Sequence, residues 1–426
     1  MKILIAPWGD PANWKETTYV FEDRKVKSYS SLKILQEVVS PDETIIIAAD
    51  TLAQEGDAYE EIKTNAKNKI DEFAKKFHIN NYKVQILPGV GHFKTQKESH
   101  FYGNTQDYYY ASLYNFVMLL KNMDFSKLEV HLDITHGVNY MPVLIYRTLR
   151  ELLSNIALFF DVKLKVYNTD PSVPFNLLEE TRINIIEDTK ILPSPFREKA
   201  ESNKLLNTSK LKNEKNKELN IYLGKYRDSS IMEKPISAFI GSVYNGFPLG
   251  IFTFFPEVDT LEEYIKRNYE VFENEIEVNS EDKFLNINRK VSLNKNFKVY
   301  LFAYLISYLL KKKCIAKHAQ KEVSLFQLEI LESKFFKFDE RLEVSIDKEL
   351  TDLKNKLLCY PDFNWQSLNS ILNDKVVNDI NKRNFFAHAG LEYNAVEVKK
   401  ENENIYLRYK EKFLETIAKQ CKVGLL

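Results

Sequence analysis

Cysteine is scarce in this 426-residue chain: Cys314, Cys359 and Cys421 lie far apart, and no C-x-x-C pair occurs. That excludes a disulfide frame and a cysteine-based structural zinc site, and it points to a reducing, cytoplasmic setting. Net charge is also lacking. Sixty basic residues balance sixty acidic ones, so no global field draws in a polyanion and any nucleic-acid site must be a local patch. There is no long apolar run: the longest, 299–310, ends in three lysines and falls short of the roughly 20 residues that span a bilayer. It reads as a buried helix, and no membrane partner is expected. The first residues go directly into a strand pattern, with no secretory leader. No G-x-G-x-x-G follows that strand, which argues against an ordinary nicotinamide site. His92 and His100 are not spaced for a metal on a helix and have no carboxylate cluster nearby, so no metal is expected.

What is present begins with an alternation of strand and helix patterns. Apolar runs at 2–7, 43–49, 83–87, 128–134 and 162–167 read as buried strands, with a possible sixth at 183–186. Helical patterns fall at 31–39, 57–77, 105–123 and 139–160, the last with Pro142 in its first turn, where proline is tolerated. Short connections between them predict a doubly wound, mostly parallel, Rossmann-like α/β domain over residues 1–194. Such sheets bind ligands beyond the carboxyl ends of their strands, where the strand order reverses. Two loops leave strand ends there with unusual residues. One is Trp8, Gly9 and Asp10; the other is Thr135, His136, Gly137 and Asn139. Gly137 permits close backbone approach, and the helix start beyond it favours phosphate. Trp8 could stack on a base, or Trp8 and Trp14 could simply pack the sheet edge.

From Pro195 the texture changes. Residues 198–218 are dense in Lys, Asn and Glu, and 195–294 reads as a connecting region with its own small packing unit. From 295 to 426 helical patterns dominate: 299–310, 322–338, 347–358 and 367–380, with 405–421 a helix or a strand followed by a helix. This predicts an all-α domain.

Within it, Arg383-Asn384-Phe385-Phe386-Ala387-His388 closes a helical pattern that starts near Asp374, and Gly390 offers the left-handed stop. At 100° per residue, Val376, Val377, Ile380 and Ala387 form an apolar stripe. Arg383 and His388 fall on its two edges and Asn384 falls inside it, while Phe385 and Phe386 fill the other side. A helix apolar nearly all round is buried or sits in an interface. The pattern therefore predicts three polar groups in a mostly dry place. A lone histidine in such a helix is most often a hydrogen-bonded core residue. With Arg383 and Asn384 beside it, His388 can instead serve as a general base or acid for RNA cleavage, with the guanidinium facing the phosphate. The RNA 2′-hydroxyl would attack, leaving a 2′,3′-cyclic phosphate. One such set is small for this chemistry, and a two-fold dimer would double it.

Three stretches carry a family resemblance: residues 1–11 (MKILIAPWGDP), 133–142 (DITHGVNYMP) and the R-x-x-x-x-H of 383–388. Together they resemble the CARF–HEPN ribonucleases that accompany type III CRISPR systems, in particular the Csx-one group. The resemblance implies a homodimer, or higher homo-oligomer, whose N-terminal domains bind a cyclic oligoadenylate, with cyclic tetra-adenylate as the expected activator. It further implies single-stranded RNA as the substrate of a HEPN domain. Arg383 and His388 are then catalytic, with Asn384 supporting. Trp8, Gly9, Asp10, Thr135, His136, Gly137 and Asn139 become ligand contacts, and no cofactor or metal is implied. Three other readings remain: a nucleotide-sensing binding module that does not cut, a HEPN toxin ribonuclease that needs no activator, and slow breakdown of the messenger at Thr135 or His136.

Overall fold

The computed structural model describes residues 1–94, 97–171, 180–373 and 379–426. They form two compact units that interleave along the chain. The first comprises Met1–Leu192, Asn207–Leu211 and Glu270–Leu293; the second comprises Pro193–Leu206, Lys212–Tyr269 and Asn294–Leu426. The stretch 195–294, read as a connecting region, thus supplies residues to both.

In the first unit the strands are β1 (Lys2–Pro7), β2 (Thr17–Phe21), β3 (Arg24–Ser28), β4 (Glu43–Ala49), β5 (Tyr82–Leu87), β6 (Gly91–Lys94), β7 (Glu98–Tyr102), β8 (Lys127–Asp133), β9 (Asp161–Thr169) and β10 (Glu180–Lys190). The helices are α1 (Leu32–Val39), α2 (Tyr59–Lys76), α3 (Thr105–Lys121) and α4 (Met141–Ile156). Eight strands make one sheet in the order β3-β2-β10-β9-β8-β1-β4-β5. Its centre, from β9 to β5, is parallel. β1 is buried at five consecutive positions because both of its faces are covered. Leu4, Ala6, Ile46 and Ala48 share a core with Leu35 of α1 and with Ile62, Ala66 and Ile70 of α2. α3 and α4 pack on each other and against β5 and β1, where the alternate residues Ile3 and Ile5 point. The chain moves outward from β1 through β4 to β5, then returns to the other side of β1 as β8, so the strand order reverses between β1 and β8.

β6 and β7 pair antiparallel as a hairpin. It joins Ile276–Ser280 and Phe284–Arg289 in a four-stranded sheet, with Phe284–Arg289 parallel to β7.

The second unit is built on helices, among them Glu233–Asn245, Lys295–Lys312, Leu325–Phe335, Glu340–Leu358 and Leu414–Cys421. Lys295–Lys312 is buried along nearly its whole length, as its apolar run requires. The expectation of an all-α domain is overturned by a sheet in the order Val323–Ser324, Asn404–Tyr409, Val396–Glu401, Phe363–Ser367. Val396 and Val398 alternate inward, as do Ile405, Leu407 and Tyr409. Asn402 and Glu403, at φ 49° and 66°, close the hairpin between these strands. Two successive left-handed residues make the turn whose twist suits a two-residue hairpin. The segment 405–421 is therefore a strand followed by a helix.

Candidate functional site

Arg383 to His388 does not end a long buried helix. The helix is Lys382–Ala387, six residues, capped by Asn381, whose Oδ1 accepts the Asn384 N–H at 3.1 Å. Val376 and Val377, part of the expected stripe, lie outside the described residues. Of the helix itself only Phe385 is fully buried, against Phe247 at 5.0 Å and Tyr409 at 6.2 Å between ring centroids. Arg383 and Asn384 are exposed and His388 is half-buried. Of the two expected settings, burial within the chain is thus overturned: a helix this short turns one side chain inward and leaves its polar side exposed on the single chain.

His388 sits at the mouth of this helix, and its ring is fixed. Nδ1 lies 2.9 Å from Glu349 Oε2, and the ring stacks on Tyr393 at 5.4 Å. Glu349 belongs to the helix Glu340–Leu358. A carboxylate only accepts, so Nδ1 carries the hydrogen; in the neutral ring that leaves the lone pair on Nε2. The backbone beyond turns sharply, with Ala389 at φ 49° and Gly390 at φ 78°. A Cβ at Gly390 would come within 3.0 Å of both Phe247 Cβ and Tyr409 Oη, so glycine is needed for space as well as for conformation.

In the first unit a pocket of about 260 Å³ opens where the strand order reverses. Trp8, Gly9 and Asp10 after β1, Ala49 at the end of β4 with Thr51 to Gln54 beyond it, and Val138 to Met141 at the start of α4 form its walls, with Lys69 of α2 and Phe93 and Ser99 of the β6–β7 hairpin. The two predicted loops are joined, because the Gly9 N–H donates to the His136 carbonyl at 2.9 Å. A Cβ at Gly9 would meet Val138 at 2.6 Å, and one at Gly137 would meet Pro142 at 2.4 Å. Both glycines allow close packing of loop on loop. Asn139 adopts a left-handed conformation at φ 51° on the pocket rim. Asp10 forms an ion pair with Lys69 at 2.8 Å.

The remaining predicted contacts are Trp8, which also lines the pocket, and three residues that do not. Trp8, although its edge borders the pocket, is fully buried and packs edge-on against Trp14 at 5.0 Å. Thr135, His136 and Gly137 are not among the pocket walls. His136 stacks on Trp14 at 4.0 Å, and its Nε2 faces the Tyr19 hydroxyl at 3.2 Å and the Ser31 N–H at 3.4 Å. Burial depresses its pKa to about 3, so the ring is neutral and Nε2 accepts from Ser31. The Thr135 N–H donates to Asp133 Oδ1 at 3.1 Å, while Ser31 Oγ donates to Oδ2 of the same carboxylate at 2.6 Å.

Glu349, Tyr393 and Lys69 escaped sequence reading. The first two lie distant in sequence or outside the motif, and Lys69 is one of many lysines on α2. Among the described residues no group of three or more His, Cys, Asp or Glu side chains is placed to hold a metal ion, and no helix is long and apolar enough to cross a membrane.

A mixed α/β unit with a pocket at its strand reversal, and a unit presenting R-x-x-x-x-H on a short capped helix, define a CARF–HEPN protein. Residues 3–171 match the model of the CARF domain of CRISPR system endoribonuclease Csx1, and residues 339–411 match the model of its HEPN domain. The chain is 35% identical to the CRISPR system endoribonuclease Csx1 of Methanocaldococcus jannaschii, an alignment that covers 96% of this chain and 90% of the relative. It belongs to the Csx1 family of CRISPR system endoribonucleases.

Proposed function

We propose that this endoribonuclease cleaves single-stranded RNA without a metal ion and is switched on by a cyclic oligoadenylate, with cyclic tetra-adenylate as the activator. The setting is type III CRISPR defence in the cytoplasm. His388 Nε2 takes the proton of a ribose 2′-hydroxyl, whose oxygen attacks the adjacent phosphorus. The bond from phosphorus to the 5′-oxygen breaks, leaving a 2′,3′-cyclic phosphate, and the departing oxygen takes a proton from an imidazolium. Arg383 faces the phosphoryl oxygens as their charge grows, and Asn384 supports it. The observation that carries this reading is the His388 ring held through Nδ1 by Glu349 at the end of the exposed helix that bears Arg383.

Activator binding is assigned to the pocket after β1, with Gly9, Asp10 and Asn139 on its walls. Trp8, Thr135, His136 and Gly137 act there by shaping the loops rather than by touching the ligand. Lys69 supplies a positive charge. A ring of four nucleotides is larger than a 260 Å³ pocket, which favours a two-fold dimer that joins two pockets around one ligand and brings two Arg383–His388 helices together. The domain assignment that accompanies this is a ligand-sensing part within 1–194 and a nuclease part within 295–426.

The test is cleavage of a fluorescent single-stranded RNA in EDTA, with and without cyclic tetra-adenylate. Wild type should cleave strongly only with the activator. His388→Ala and Arg383→Ala should each lose at least about 100-fold in rate while binding the activator as before. Equal cleavage with and without activator would detach the nuclease from the pocket. Activator binding with no cleavage would make the protein a sensor that does not cut.

A further inference from the structure

We infer that Glu349 is the positioning residue of the ribonuclease centre: its carboxylate holds His388 in the tautomer that turns Nε2 toward RNA. This rests on the ribonuclease reading above and deepens it. Glu349 lies on the helix Glu340–Leu358, whose Ile346, Leu350, Leu353 and Leu357 are buried. That apolar stripe fixes the helix, and Glu349 sits at its edge with its side chain only 19% exposed. Seven residues further on, two turns along the same face, Lys356 lies 5.9 Å from the Tyr393 ring centroid, with Nζ 3.4 Å from its hydroxyl. Tyr393 in turn stacks on His388. One rigid helix therefore constrains the imidazole twice, through Glu349 at Nδ1 and through Lys356 by way of Tyr393.

The chemistry gives the contact a direction. If Nε2 carried the hydrogen, the Nδ1 lone pair would face a carboxylate oxygen at 2.9 Å, an acceptor against an acceptor. With the hydrogen on Nδ1 the pair is a charge-assisted hydrogen bond, and Nε2 is left as the acceptor that a general base requires. The same carboxylate stabilises the imidazolium formed once the 2′-hydroxyl proton has moved. A plain structural role, tying residue 388 to a neighbouring helix, is the competing account. It predicts a loss of stability without a specific loss of turnover.

The experiment compares Glu349→Gln, Glu349→Asp and Glu349→Ala with wild type, with cyclic tetra-adenylate saturating. Glu349→Gln should lower kcat by roughly 10- to 100-fold and leave KM for RNA within about 2-fold, because the RNA-facing groups remain. Glu349→Asp should recover part of that loss. Adding any of these changes to His388→Ala should cost nothing further, since the two residues act as a unit. Nitrogen NMR of histidine-labelled protein at mildly alkaline pH, with the His388 signals assigned by their loss in His388→Ala, should show Nδ1–H in wild type and a shift toward Nε2–H in Glu349→Gln. Unchanged kcat in Glu349→Gln with an active wild type overturns the inference and leaves the nuclease intact. An unchanged tautomer does the same. A wild type that cleaves no RNA under any activator overturns the ribonuclease reading, and this inference with it. Thermal melts of the three variants separate a folding defect from a turnover defect, and Glu349→Gln, nearly isosteric, keeps the test available if Glu349→Ala does not fold.

Discussion

At the scale of single residues, the side chains most constrained around the pocket are ionised or titratable groups held out of water. Asp50, between pocket-wall residues Ala49 and Thr51, is fully buried and ion-paired with the equally buried Arg289. It also accepts from the Tyr59 hydroxyl and the Gly89 N–H, each at 2.8 Å. Removing one partner of such a pair strands the other charge, at a cost of about 3–5 kcal/mol. Arg289→Met should therefore lower the unfolding free energy measured in urea by that much and weaken activator binding, and adding Asp50→Asn should restore part of the loss. Protonation at other buried sites sets the pH dependence. Burial lowers His131 to about 4 and His136 to about 3. Their contribution is complete above the ordinary histidine pKa near 6.5 and is lost as pH falls toward 4. Burial raises Asp107 from 3.8 to about 7, so its contribution is complete below about 4 and is lost as pH rises through 7. His131 and His136 each add a slope of up to about 1.4 kcal/mol per pH unit that rises with pH, while Asp107 adds one that falls, as do Asp133, Glu273, Glu332 and Glu392, which burial also raises. Asp107→Asn, which keeps the acceptor for the Leu293 N–H, should make the melting temperature gain more, or lose less, than wild type between about pH 4 and 7; an unchanged slope would show that Asp107 stays ionised.

At the scale of elements, legibility followed burial. β1, β4 and β8 are covered on both faces, and such strands leave continuous apolar runs that stand out in sequence. α2 showed through Ile62, Ala66 and Ile70 at helical spacing. Hairpins were hidden. β2–β3 turns at Glu22, φ 52°, and the hairpin of the second unit turns at Asn402 and Glu403, none of them flagged by glycine. The Arg383 helix was misjudged because the stripe from Val376 to Ala387 ran through Asn381, a helix cap in the middle of the pattern. Both loops around the pocket were legible as loops at strand ends, yet sequence could not say which of their side chains face it. Asp10 and Asn139 line it, while His136 is turned to Trp14 and Ser31. Glu349 was out of reach for a different reason: its pairing with a residue 39 positions away is a tertiary fact that no local pattern encodes.

At the scale of the whole molecule, the interleaving of the two units governs how the chain can be divided. A fragment of residues 1–194 looks complete by its α/β pattern, but it omits Phe284–Arg289. That strand pairs with β7 over five positions, from Phe284 opposite Glu98 to Asn288 opposite Tyr102. Leu285 and Ile287 belong to the same core as Leu4 and Ile46, and Arg289 neutralises Asp50. Without the strand, β7 gains an open edge, the core loses two fully buried side chains worth about 1.5–3 kcal/mol each, and a buried carboxylate is left alone. These losses together reach the whole stability of an ordinary domain, about 5–15 kcal/mol. Residues 1–194 expressed alone should accordingly aggregate, or melt without cooperativity. Residues 1–192 joined by a flexible linker to 270–293 should melt cooperatively and bind cyclic tetra-adenylate. Cooperative melting and full-affinity binding by 1–194 would mean that the returning strand is an accessory to this unit rather than part of its core.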